Sequence, residues 1–201
     1  TGFDALSLRC RAVSSMIDID RKRALEMFES ISWDSTNEAI RCDTVSLPDL
    51  RTYYETLVRI ESRCFTTKER QRGDNIAFIE SHLAKSASPL EVGPALLTAA
   101  ALVAKGIEAA VIVRALKTGM ERSVADRAAF EWAGRVCSVP ESIETPRSSC
   151  KSDRETERIL LGAYRTFLVK NLSASACVMR GVSRSDGVHE LIEKFNAMVD
   201  D

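Results

Sequence analysis

Apolar positions along the chain return every three or four residues, and the strict alternation of a half-buried strand is almost nowhere to be found. Phe3, Leu6, Cys10, Val13 and Ile17 make one such stripe. Asp18 or Asp20 then stands where it can cap a second helix bearing Ala24, Leu25, Phe28 and Ile31. The short link between the two predicts an antiparallel hairpin. Residues 32–45 are polar and aperiodic apart from Trp33, which predicts a loop. Ser46-Leu47-Pro48-Asp49 is an N-terminal signature for a helix carrying Leu50, Tyr53, Tyr54, Leu57 and Ile60. Thr66 and Glu69 form a capping box that opens a helix to about Lys85, with Ile76, Ile79 and Leu83 inward. Gly73 weakens its first half, so a break is expected there if anywhere.

Ser88-Pro89-Leu90-Glu91 is the cleanest start signal, with the Ser88 hydroxyl placed to accept the Glu91 amide and Pro89 losing no needed donor. Pro94 should kink this helix or delay its regular part. Ala95–Ala104 is apolar all round, the mark of a central buried helix. Gly106 ends it, and Ile107 to Lys117 predicts a short helix that Gly119 stops. Ser123 is read as the cap of a further helix with Ala128, Ala129, Trp132 and Val136 facing in. A second loop rich in Pro and Ser occupies 138–151. Ser152 and Glu155 open a long helix to about Lys170 with Ile159, Leu160, Ala163, Phe167 and Leu168 inward. A turn of helix at Ala174 to Met179 ends at Gly181. The last helix, from about Asp186, spaces Val188, Leu191, Ile192, Phe195, Met198 and Val199 almost ideally.

The expected architecture is all-α, with about ten short-to-medium helices in antiparallel hairpins, arranged as an α-solenoid-like stack or an irregular bundle. Residues 1–201 are expected to form a single helical domain, and the 138–151 loop is where a softer division would fall. Helix pairs recur roughly every 35 to 40 residues, the spacing of helical repeats. Arg23-Ala-Leu-Glu-Met-Phe28 resembles the second helix of a tetratricopeptide repeat over those six residues. No Trp-Leu-Gly-Tyr pattern precedes it and no period of 34 follows, so nothing is carried over from that family.

Composition changes this picture mostly by exclusion. Hydrophobic residues at 45% and charged residues at 28% describe globular material and not a disordered chain. The 28 basic and 29 acidic residues leave a formal charge of -1, so the basic excess of a duplex-binding protein is missing. The densest basic runs, Arg63–Arg72 and Arg21–Arg23, are interleaved with acids, which is the pattern of a solvated helix face. No nucleic acid partner is therefore expected. No apolar run reaches the roughly 20 residues of a bilayer span, so no transmembrane segment is expected either. The chain opens at Thr1 and not at Met, which fits either a removed leader or an excised piece of a longer chain.

Six cysteines, at 10, 42, 64, 137, 150 and 177, lack any CxxC or zinc-ligand spacing. Cys137 and Cys150 flank one Pro-containing loop; Cys42 lies in another loop, and Cys64 closes the helix that follows it. Both pairs are candidate staples of helix-flanking loops, which would place the protein in a secreted or periplasmic setting; the alternative is a cytoplasmic protein with free thiols. Cys10 and Cys177 fall on helix faces and read as small core residues.

Catalytic signals are weak. His82, near a helix end where a cation suits the dipole, and His189, on the outer side of the last helix, have no partner at ligand spacing. Asp18 and Asp20 read as caps. Glu108, Glu121, Asp126 and Glu131 lie in the middle helices as ordinary surface charges unless they meet in space. No GxSxG, HExxH, P-loop or GxGxxG motif occurs, and no cofactor or metal is expected. Adjacent Tyr53 and Tyr54 are not expected both to point squarely into one core, so one of them, together with Trp33, is a candidate partner-facing aromatic; the favoured reading is burial with a hydrogen-bonded hydroxyl. These readings favour a non-enzymatic helical scaffold that binds a protein or peptide partner. The alternatives are a carrier of a small apolar or lipid-like ligand between the Ala-rich central helices, and an enzyme built from carboxylates that meet only in three dimensions. The sequence leaves the oligomeric state open.

Overall fold

The computed structural model describes residues 4–32, 50–125 and 154–172. The expected loop around Trp33 and Cys42, the Ser46 start, the helix after Ser123, the 138–151 loop, the start of the Ser152 helix and everything after Leu172 lie outside the described residues. Among the described residues there are eight helices and no strand, so the chain is all-α. They are α1 (Ala5–Met16), α2 (Arg21–Glu29), α3 (Leu50–Cys64), α4 (Thr67–Arg72), α5 (Asp74–Leu83), α6 (Pro89–Ala104), α7 (Ala109–Arg122) and α8 (Arg154–Leu172). No helix among them is long and apolar enough to cross a membrane.

Local chemistry sets most of the ends. Asp4 caps α1 by accepting the Ser7 amide at 3.0 Å, and Asp20 caps α2 by accepting the Arg23 amide at 3.0 Å. Thr66 and Glu69 make the expected capping box on α4: Glu69 N–H donates to Thr66 Oγ1 at 3.3 Å and Thr66 N–H donates to Glu69 Oε2 at 2.7 Å. The helix they open does break at Gly73, whose φ of 83° is a left-handed conformation that closes α4 and turns the chain into α5. Gly106, at φ 92°, ends α6 in a Schellman motif: Ile107 N–H reaches the Leu102 carbonyl at 3.1 Å and Gly106 N–H that of Val103 at 2.8 Å.

Other expectations need correction. Ser88 does precede α6, but its hydroxyl makes no hydrogen bond; instead the Glu91 carboxylate reaches back to the amides of Ala87 and Ser88 at 3.0 and 2.6 Å. The Glu91 amide, which the Ser88 hydroxyl is expected to take, donates instead to the Ser88 carbonyl at 3.0 Å. Helix α6 continues through Pro94, and it is not buried all round: Leu97 and Ala101 face outward while Ala95, Leu96, Ala99 and Leu102 face in. Ser123 closes α7 by donating to the Met120 carbonyl at 2.7 Å, and the helix it is expected to cap lies outside the described residues.

Gly119 does not stop α7, which runs on to Arg122. Its role is spatial. A Cβ at this position would lie 2.6 Å from the Ser86 carbonyl oxygen and 3.2 Å from that of Leu83. Only a glycine lets α7 come this close to the backbone where α5 ends.

The helices assemble around two of their number. Helix α3 packs against α1, α2, α5 and α6, and α7 packs against α5, α6 and α8. Leu6, Cys10, Val13 and Ile17 of α1 are buried as the periodicity requires, with Ala24 and Phe28 of α2 beside them. On α8 the buried set is Leu160, Tyr164, Phe167 and Leu168; Ile159 points out, so the inward arc is rotated by one position from the expected one. Lys170 of α8 donates its ammonium to the Ser123 carbonyl, tying this helix to the end of α7.

Replacing Gly119 with Ala is expected to destabilise the protein by about 1–3 kcal/mol, since the new methyl meets rigid backbone and not a movable side chain. Urea unfolding of the variant beside the parent measures this; an unchanged midpoint would show that α7 has room to withdraw.

Candidate functional site

The chemistry-bearing residues that the fold brings together meet where α2, α3, α5 and the start of α6 converge. Phe28 comes from α2, Tyr53 and Tyr54 from α3, and Phe78 and His82 from α5. Phe28 and Tyr53 stack with ring centroids 4.7 Å apart and planes 17° from parallel. His82 lies 4.3 Å from Phe78 and 5.3 Å from Phe28, centroid to centroid. Tyr53 meets Tyr54 edge-on at 5.3 Å. Offset and edge-on contacts of this kind are the arrangements that ring quadrupoles favour.

Tyr53 and Tyr54 are 2% and 1% exposed, so both take the favoured buried reading and neither is the partner-facing aromatic that one of them was a candidate to be. Successive residues on a helix differ by about 100° in direction, so two neighbours share a core whenever the buried arc is wide enough. On α3 it is wide, because helices pack on it from both sides: Leu50, Tyr53, Tyr54, Leu57, Ile60 and Glu61 are all buried. The Tyr54 hydroxyl is satisfied by Ser86 Oγ at 2.7 Å. Burial holds both phenols far above their usual pKa; for Tyr53 nearby Cys10 and Glu91 add to this, and for Tyr54 Glu91 does so against the opposing Ser86 bond. Neither phenol ionises within the working range of a protein. Trp33 lies outside the described residues.

His82 is equally committed. It is buried, and Nδ1 sits 2.8 Å from the Phe78 carbonyl, which assigns the proton to that nitrogen. Burial pulls its pKa below the usual imidazole value, the Phe78 carbonyl partly resists, and Lys85 adds to the lowering. The imidazolium expected at this helix end is therefore replaced by a neutral ring inside an aromatic cluster.

Among the described residues two carboxylates are buried, and each has a structural task. Glu91 takes the amides at the start of α6, as described above. Glu61 is 3% exposed, with Arg70 Nη1 2.5 Å from its Oε1 and Asn75 Nδ2 donating to the same oxygen at 3.3 Å. Glu108 and Glu121 are exposed, Glu121 pairing with Lys117 at 2.5 Å; Asp126 and Glu131 lie outside the described residues. Among the described residues no group of three or more His, Cys, Asp or Glu side chains is arranged to hold a metal.

Cys64 is a free, half-buried thiol, and its candidate partner Cys42 lies outside the described residues. Burial raises its pKa, partly offset by the Arg21 charge, which makes it a poor thiolate. Cys10 is a buried free thiol in the core, as its stripe position indicates. Cys42, Cys137, Cys150 and Cys177 lie outside the described residues.

Sequence reasoning missed Glu61, Asn75, Ser86 and Tyr164. Tyr164 was findable, since it completes the 160, 164, 167, 168 spacing of the buried arc. The partners of Glu61 carry no local signal, being nine and fourteen residues away.

No protein-family model, curated protein or solved structure matches the chain. What the structure defines is the class: an all-α protein with a polar and aromatic interior whose groups are largely paired with one another.

The neutral His82 gives stability a sign with pH. Its folded-state pKa is lowered, so the unfolded chain binds the extra proton first and stability falls as pH drops below about 6.5. Between about pH 7.5 and about pH 5.5 the parent should lose more unfolding free energy than a His82→Gln variant. Denaturant titrations at the two pH values give the slopes, and equal slopes would place the proton elsewhere.

Proposed function

We propose that the chain is a non-enzymatic helical scaffold that binds a protein or peptide partner. One observation carries the reading: opposite its buried stripe, α1 presents a solvent-facing row of small and apolar residues. Leu6, Cys10, Val13 and Ile17 point into the core, while Ala5, Leu8, Ala12 and Ser15 point out at the same three-and-four spacing. The second row is displaced from the first by two residues, about 200° around the helix. Ile19, in the turn just beyond, continues it. Leu8 is 52% and Ile19 79% exposed. Scattered exposed apolar residues are ordinary, but a registered row on one helix face is the form in which a helix offers itself to another helix or a groove.

In this reading the described helices belong to an array of about ten, stacked as hairpins in a solenoid-like or irregular bundle. The buried His, Tyr and Glu side chains are spent on internal bonds, which suits a frame more than a reaction centre. The reading includes export, motivated by the loop-flanking cysteine pairs Cys137 with Cys150 and Cys42 with Cys64; six free thiols in denatured, unreduced protein would set it aside.

A photo-crosslinking residue at position 8 should capture a partner that the same residue at exposed Arg59 of α3 does not. Leu8→Glu should then weaken that complex at least tenfold while changing folding stability by no more than about 0.5 kcal/mol. A complex whose affinity survives Leu8→Glu and Ala12→Glu together would remove α1 from the interface and this reading with it.

A further inference from the structure

Helix α4 differs from its neighbours in that none of its residues is buried. It is bounded by Thr66 on one side and by left-handed Gly73 on the other, where the space around a would-be Cβ is open. Its deepest reach into the body is Arg70. The guanidinium places Nη1 2.5 Å from Glu61 Oε1 and donates Nη2 to the Glu61 backbone carbonyl. The acceptors belong to the packed body and the cation does not: the Glu61 side chain is 4% exposed and that of Arg70 35%.

A second observation concerns the same place. Asn75, 5% exposed, donates Nδ2 to Glu61 Oε1 at 3.3 Å, and its Oδ1 is buried with no hydrogen-bond partner. Turning the amide over would set Oδ1 against the carboxylate, so the orientation is dictated by Glu61. An unpaired buried acceptor costs free energy. It asks for a further N–H that Arg70, tethered through α4, does not supply.

We propose that Glu61 and Asn75 form a guanidinium site which Arg70 occupies from within the chain, and that the ligand is an arginine side chain of a peptide or protein partner. The inference deepens the protein-binding reading and rests on it. A guanidinium carries five N–H donors in a planar fork, matched to a carboxylate beside a carbonyl and an amide oxygen. An ammonium lacks the fork. A hard divalent cation needs about six oxygens, whereas this cluster offers the Glu61 carboxylate, its carbonyl and one amide. Because Arg70 is covalently attached, it competes at a high effective concentration, so α4 keeps the site closed until a partner arginine supplies contacts elsewhere as well.

The test is chemical rescue. Arg70→Ala empties the site and leaves a buried carboxylate unpaired, so its Tm should fall by several degrees. Methylguanidinium chloride, titrated to about 50 mM, should raise that Tm saturably, following the ligand-linkage relation. Parent protein and Arg70→Ala/Glu61→Gln should show no such rise. The Asn75 side-chain amide resonances of Arg70→Ala should shift with the same midpoint.

Equal rescue by sodium chloride, methylammonium or magnesium would overturn the arginine assignment, and so would a rise that survives Glu61→Gln. No rescue of a folded Arg70→Ala protein would overturn the site. If Arg70→Ala does not fold, Arg70→Gln serves under the same criteria. If neither folds, the parent decides: added arginine amide should speed hydrogen exchange of the α4 amides, and unchanged exchange would overturn the inference. None of these readouts involves position 8, so loss of the site leaves the α1 crosslinking result standing, and the reverse.

Discussion

Phe28 makes the contact on which the arrangement of the first five helices turns. It is the only aromatic side chain of α2, it has no solvent exposure, and it touches Tyr53 of α3 and both Phe78 and His82 of α5. One ring thus joins three helices. The α1–α2 hairpin gains its attachment to the body here and along the α1–α3 contact. Each aromatic pair contributes about 0.5–1.5 kcal/mol beyond the area it buries, and the planes interlock, so the helices have little freedom to slide. The neutral state of His82 follows from the same constraint, because a charged imidazole among three rings would be desolvated without a counter-ion.

Around this cluster the described interior includes buried polar groups, and they are handled individually. Tyr54 is tied to Ser86, Glu91 to the amides before α6, and Asn171 to the Phe167 carbonyl. Groups of this kind cost free energy to bury and return most of it only when bonded, so they favour one arrangement over near alternatives more than they add stability. The segment Leu83–Glu91 is where these demands coincide. It supplies Ser86 to Tyr54, the backbone that Gly119 approaches, and the amides that Glu91 satisfies. Two acceptors, Asn75 Oδ1 and Ser88 Oγ, are left over. The Ser88 hydroxyl lacks its usual capping bond because the Glu91 amide donates to the Ser88 carbonyl instead.

These features bear on function through what they leave unused. Among the described residues, buried Tyr53, Tyr54 and His82 are neutral and buried Glu61 and Glu91 are hydrogen-bonded, whereas the outer face of α1 exposes Ala5, Leu8 and Ala12. A well-locked frame with an apolar row on its surface loses little conformational entropy on binding, which is the physical advantage of a preorganised scaffold.

The sequence by itself determined the helices. The three-and-four spacing of Leu6, Cys10, Val13 and Ile17, the Asp20 cap, the Thr66–Glu69 box and the Gly106 stop are encoded within a turn or two of the chain, and such local signals survive without knowledge of the fold. The break at Gly73 was legible for the same reason. What only the tertiary structure decided depends on neighbours remote in sequence. Gly119 looks like a terminator until the carbonyls of Leu83 and Ser86 are seen against it. Tyr53 and Tyr54 look divided between core and surface until helices pack on both sides of α3. His82 looks like a dipole-matched cation until Phe28, Tyr53 and Phe78 surround it. Glu61 looks like any surface charge until Arg70 and Asn75 close over it. Periodicity states which way a residue points along its own helix; the width of the buried arc, and what lies across it, are properties of the assembled helices alone.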